Sequence, residues 1–263
     1  MNYDFKGERI NPFFTNDVTF ANHIMRYEFA RNVLSQKGDI LRSALDLACG
    51  AGYGTRYLSE NLSSIIFHGR DISSESIDFA NKNYSSDNCK FQIEDLRELS
   101  NDTFDAIISF ETLEHIDFVE SYFNGICQRL SDGGTFILSV PDKRSNIDAG
   151  YKNEFHPNEM YIEDLFCYLE RYFSEFKIYV QKQRKISKFR RVIGKKLSKY
   201  TPRIKNYILR RRNQFTKTNN FTGHNFSEFF LSKQSLLNDF KVLQLNEVDY
   251  QKDRICYVIV ASK

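Results

Sequence analysis

The sequence predicts an α/β protein on a doubly wound, mostly parallel sheet, and three observations predict it. Apolar, β-branched runs alternate with stretches of helical period over the first 145 residues. Those runs are apolar almost throughout, as strands covered on both faces are. The first ends in a glycine-rich turn, LDLACGAGYG at 45–54, just where such folds gather ligands, beyond the carboxyl ends of their strands.

Each element follows in order. SALDLAC (43–49) is the first strand, YGTRYLSENL (53–62) a helix and SIIFHGRDI (64–72) the second strand. SESIDFANKNY (74–84) is a helix that Ser73 or Ser74 can cap. CKFQIED (89–95), FDAIISF (104–110) and GGTFILSV (133–140) are further strands. Between the last two, Phe118, Tyr122, Ile126 and Leu130 recur four apart, the spacing of an amphipathic helix. NEFHPNEMYIEDL leads into another helix with Asn158 as its expected cap. FKIYVQ (176–181) and RICYVIVAS (254–262) complete the strands.

Composition narrows the class. At 263 residues, 41% hydrophobic and 15% aromatic, the chain can bury a sizeable core. MNYDFKGERINPFF has no basic stretch followed by an apolar one, and no window is apolar enough to span a bilayer, so neither secretion nor spanning is expected. Five scattered cysteines without a CxxC pair argue against disulfides and structural zinc, and fit a cytoplasmic setting. The net charge of +3 hides an asymmetry: residues 184–220 hold 14 basic residues and no acidic one. Ile186, Phe189, Ile193, Leu197 and Tyr200 make an apolar stripe within that segment. It reads as a basic amphipathic helical hairpin suited to an anionic membrane surface, with an active-site lid as the other reading and nucleic acid disfavoured.

Four strand ends converge: Gly50 to Gly54, Asp71, Asp95, and Phe110 to His115. A bare turn lets a ligand approach the main chain. The glycines are spaced GxGxG; Thr55 stands where the dinucleotide fingerprint GxGxxG needs its third glycine. LDLACGAGYG resembles the first motif of class I S-adenosylmethionine (SAM)-dependent methyltransferases, and GRDIS, IEDL, FDAIISFETLEHI and LSDGGTFILSVP extend the likeness over about 100 residues. The resemblance implies a Rossmann-like, seven-stranded sheet, methyl transfer and SAM as cofactor. It also implies the contacts. Asp46 and the backbone of Gly50 and Gly52 would face the methionine end, Asp71 the ribose and Ile72 the adenine. Asp95 would take the adenine amino group beside the Leu96 backbone, and Phe110 would line the pocket.

ETLEH (111–115) lies near the expected methyl group, and three readings stand. His115 is the base or orienting group for an acceptor hydroxyl, with Glu114 and His156 contacting substrate. Alternatively Glu111, Glu114 and His115, with His156, hold a divalent metal, since ExxEH resembles the pattern of Mg²⁺-using small-RNA and ubiquinone-pathway methyltransferases. In the third, the segment only braces the next helix. The base reading is preferred, because ExxEH is frequent in the wider family without a metal.

GERINP and HIMRYEFA (23–30) resemble a bacterial branch of the family encoded beside glycosyltransferases of surface-polysaccharide synthesis. That implies a helical cover over 1–40, with Arg26 or Tyr27 at the cofactor carboxylate, and a sugar or lipid-linked glycan acceptor at the inner membrane face. The expected plan is cover 1–40, core 41–183, basic helical insertion 184–253 and last strand 254–263. A SAM-binding, membrane-associated protein without catalysis is the rival from outside enzymology.

Overall fold

The computed structural model describes residues 17–143, 155–183, 240–244 and 256–263. A single sheet organises them. Its strands are β1 (Ser43–Leu47), β2 (Ile66–Asp71), β3 (Cys89–Ile93), β4 (Phe104–Phe110), β5 (Leu130–Pro141), β6 (Glu175–Gln183), β7 (Phe240–Gln244) and β8 (Cys256–Ser262). They lie in the order β3-β2-β1-β4-β5-β8-β6-β7. Neighbours from β3 to β5 are parallel; β8 runs antiparallel to both β5 and β6, and β7 antiparallel to β6. The chain winds outward through β2 and β3, then returns to place β4 on the other flank of β1. The crevice therefore opens at the carboxyl ends of β1 and β4.

The helices are α1 (Asp17–Ser35), α2 (Tyr53–Asn61), α3 (Ser74–Tyr84), α4 (Val119–Arg129) and α5 (Ile162–Tyr172). Successive residues of a strand face opposite ways, and the sheet accordingly separates two apolar layers. Ala44, Phe67, Phe91 and Ile108 join Phe20, Ile24 and Leu34 of α1 in one. Leu45, Leu47, Ile107 and Phe136 join Tyr122 and Ile126 of α4 and Leu165 of α5 in the other. Ser73 caps α3 as expected, its Oγ accepting from Ser76 N at 3.2 Å.

Two expectations are revised. The seven strands are present, but an eighth, β7, joins the edge from inside the segment expected to be a helical insertion. The short apolar run FKVLQ was its overlooked signal. Second, α5 begins after Tyr161, whose N–H donates to Asp164 Oδ2 at 3.3 Å. Asn158 is no cap: its N–H and amide reach Glu114 O (3.2 Å) and Leu113 O (3.4 Å) and tie this loop to the turn after β4. Of the cover expected over 1–40, α1 is described, and residues 1–16 lie outside the described residues. The basic segment 184–220 lies outside the described residues, so its helical reading is untouched. Among the described residues no helix is long and apolar enough to cross a membrane.

Candidate cofactor and acceptor site

The glycine turn has a different task at each position. Gly50 is left-handed (φ +55°) and a side chain there would meet open space, which makes it the face a ligand can approach. Gly52 (φ +80°) begins α2 so close to α3 and β3 that a Cβ would lie 2.6 Å from Ala80 Cβ and 2.7 Å from the Phe91 ring. Gly54 faces α1. Its missing Cβ would fall 1.9 Å from Cζ of Tyr27, so this glycine exists to seat a tyrosine of α1. Ala48 is also left-handed (φ 60°), at a cost of about 1 kcal/mol that a fourth glycine would have spared.

Tyr27 packs edge-on against Phe110 (5.1 Å) and Tyr53 (5.9 Å). Its hydroxyl donates to Asp46 at 3.2 Å, and Thr55 Oγ1 donates to the same carboxylate at 2.6 Å. Asp46 is therefore buried beneath the turn. Burial, reinforced by Asp71, pushes its pKa up to about 7 against the pull of the two hydroxyls. Asp46 thus holds Tyr27 and Thr55 beneath the turn on which the methionine end is expected.

Asp71 stands at the rim, Oδ2 accepting from Gly50 N and Oδ1 from Ser73 N, both at 2.9 Å. It pins the glycine turn to the end of β2. Ile72 beside it is 54% exposed, and Ile93, paired with Asp71 across β2 and β3, is 57% exposed. Two bare isoleucines at a polar rim suit a flat ring. Asp95 is half-exposed and accepts from Arg97 N at 2.9 Å, while Leu96 packs against the second apolar layer.

Arg26 is buried, with Nε on Gln181 Oε1 (2.8 Å) and Nη2 on Glu111 Oε2 (3.3 Å). Its Nη1 has no hydrogen-bond partner among the described residues. A buried guanidinium donor left unmade costs about 1–3 kcal/mol, and a carboxylate is its best partner. Glu111 is strained (φ 51°), its carboxylate drawn toward Arg26, Ser139 Oγ (2.9 Å) and Cys256 Sγ (3.5 Å). It is thereby removed from the metal set that the spacing of ETLEH suggested. Sequence reasoning missed Gln181, Ser139 and Thr55; a buried Gln in an apolar strand was the one available signal.

Glu114 and His115 do come together with His156. The 3-10 turn Leu113–His115 leaves Glu114 buried and His115 exposed. His115 Nδ1 lies 2.7 Å from Phe155 O. A carbonyl only accepts, so Nδ1 carries hydrogen and the neutral ring keeps a lone pair on Nε2. His156 Nδ1 likewise meets Glu159 Oε1 at 2.8 Å, and the two imidazoles cross edge-on at 4.8 Å. One ligand-capable atom of each of Glu114, His115 and His156 lies within 4.8 Å of the others. A cavity of about 10 Å³, room for no more than one water, adjoins Glu114 between Leu113, Val140 and Met160.

Residues 41–192 match a family described as a methyltransferase domain. The chain belongs to the methyltransferase-domain family. This methyltransferase domain is 30% identical over 118 residues to phosphoethanolamine N-methyltransferase of Triticum aestivum, covering 42% of this chain and 23% of that one. It is 30% identical over 107 residues to the mitochondrial ubiquinone biosynthesis O-methyltransferase of Homo sapiens, covering 38% and 28%. The chain thus spans under a third of these curated relatives. Among solved structures, a SAM-dependent methyltransferase from Archaeoglobus fulgidus superposes with a TM-score of 0.52 at 17% identity over 90% of this chain and 94% of that one. Another, from Thermotoga maritima, gives 0.53 at 15% identity over 91% of each. The domain has their fold, the Rossmann-like fold of class I methyltransferases.

Proposed function

We propose that the chain is a SAM-dependent O-methyltransferase that methylates a hydroxyl of a sugar or glycolipid intermediate of cell-surface polysaccharide. The observation that carries the reaction type is the bare Nε2 of His115, oriented through Nδ1 by Phe155 O at the end of β4. The residues fit the cofactor: Gly50 offers an open main chain, Arg26 a spare buried donor for a carboxylate, and Ile72 with Ile93 an apolar rim. SAM supplies an electrophilic methyl on a cationic sulfur. Gly50, Gly52 and Phe110, with Asp46 beneath the turn, would hold its amino-acid end, Asp71 and Ile72 the ribose and adenine, and Asp95 with the Leu96 amide the far edge of the purine. His115 takes the acceptor's hydroxyl proton on Nε2, and Glu114 and His156 orient that hydroxyl.

The sugar reading is supported by the N-terminal likeness and by the FHP segment, Phe155 to Pro157, lying against His115. Incubation with labelled SAM and separated lipid-linked glycans, nucleic acids and small metabolites tests it. Label in any fraction but the glycans refutes the acceptor. Residues 184–220 would hold the enzyme at the inner membrane face. Deleting them should abolish sedimentation with anionic liposomes; unchanged sedimentation refutes that role.

One observation favours a second reading. Two imidazoles with anchored Nδ1 atoms beside a buried carboxylate form a donor set for a divalent cation that would polarise the acceptor hydroxyl. Activity indifferent to chelator, with no Mn²⁺ binding by calorimetry, removes it.

A further inference from the structure

Residues 94–103, which join β3 to β4, contain no helix, yet they carry Asp95 and Leu96. A loop that reads a purine edge must be held by something. Here the hold is one carboxylate between two arginines. Glu94, its side chain 7% exposed, takes Arg129 Nη1 on Oε1 at 2.8 Å and Arg70 Nη1 on Oε2. Ser100 Oγ receives both guanidiniums, from Arg70 at 2.6 Å and Arg129 at 3.2 Å. Arg70 Nη2 reaches Asp102 across the same loop. Both guanidinium carbons stand 5.4 Å from the centre of the Phe104 ring at the start of β4.

Arg70 also works in the other direction. Its carbonyl accepts from Cys49 N at 2.9 Å, and the next residue, Asp71, holds Gly50 N. One residue thus braces the glycine turn with its main chain and the 94–102 loop with its side chain. With Glu94 neutralised, two buried guanidiniums would face each other across a half-exposed Asp102, and the loop would be driven outward.

We propose that Arg70 and Arg129, acting through Glu94, are positioning residues that fix the 95–96 loop against the glycine turn and so set affinity for the nucleoside half of the cofactor. This rests on the reading of Asp95 and Leu96 as purine contacts. Its test compares binding of S-adenosylhomocysteine and of methylthioadenosine, which lacks the amino-acid end, in wild type and Glu94→Gln, well below either melting temperature. Both dissociation constants should rise together by about tenfold or more, with kcat at saturating SAM within about twofold of wild type. Unchanged affinity in the folded variant, or a fall in kcat alone, overturns the proposal. If Glu94→Gln does not fold, Asp102→Asn at the loop's exposed edge should raise both constants about twofold, and no rise overturns it equally. Failure of the wild type to bind either nucleoside would overturn the cofactor reading along with it.

Discussion

Gly54→Ala should be strongly destabilising, and the same substitution should become stabilising once Tyr27 is removed. The new Cβ would lie 1.9–2.3 Å from three carbons of the Tyr27 ring. That ring is 5% exposed, wedged against Phe110 and Tyr53 and hydrogen-bonded to Asp46, so it has nowhere near to go. Expelling it costs about what truncating a buried aromatic costs, roughly 3–5 kcal/mol. Against this, alanine inside a helix is favoured over glycine by about 1 kcal/mol. In the wild-type background the melting temperature should fall by about 10 °C; in Tyr27→Ala it should rise by about 2–4 °C. A double-mutant cycle by thermal or urea unfolding measures the coupling, about 3 kcal/mol or more. Equal effects of Gly54→Ala in both backgrounds would refute the assignment of this glycine to α1.

The raised Asp46 pKa makes a pH prediction. A carboxyl raised from 3.8 to about 7 in the folded state favours folding fully below pH 4 and loses that contribution as pH climbs through 7. Wild type should therefore lose stability relative to Asp46→Asn between about pH 4 and 7, within a limit of about 4 kcal/mol, and parallel melting curves across that range would contradict it. His115→Asn should lower kcat by about 10²–10⁴-fold with S-adenosylhomocysteine affinity unchanged, as steady-state kinetics and calorimetry will read. Arg26→Gln should weaken S-adenosylhomocysteine about tenfold or more but leave methylthioadenosine, which has no carboxylate, alone; equal weakening of both places the carboxylate elsewhere.

Much of the scaffold was legible because its signals are local. Strand β4 and helix α3 fall on the residues that periodicity and the Ser73 cap assign, and the functional positions sit at strand ends as the alternation of elements requires. What misled was also local. The spacing of ETLEH suggested that Glu111 and Glu114 share a site, but the left-handed backbone at Glu111 turns its carboxylate toward Ser139, Cys256 and Arg26. Asn158 has a cap's chemistry, yet a turn 45 residues earlier recruits its side chain.

By itself the sequence determined the supply of groups: a turn with little side chain, acidic residues beyond successive strands, and two histidines 41 positions apart. Tertiary structure decided what each one does. Arg26 meets Gln181 across 155 residues, and His115 meets Phe155 across 40, only because the winding of the sheet brings α1, β4, β6 and the loop before α5 to one rim. No periodicity encodes such pairings, since they depend on which strand ends become neighbours once the apolar layers close over both faces. The same closure buries Asp46 and leaves Gly50 bare.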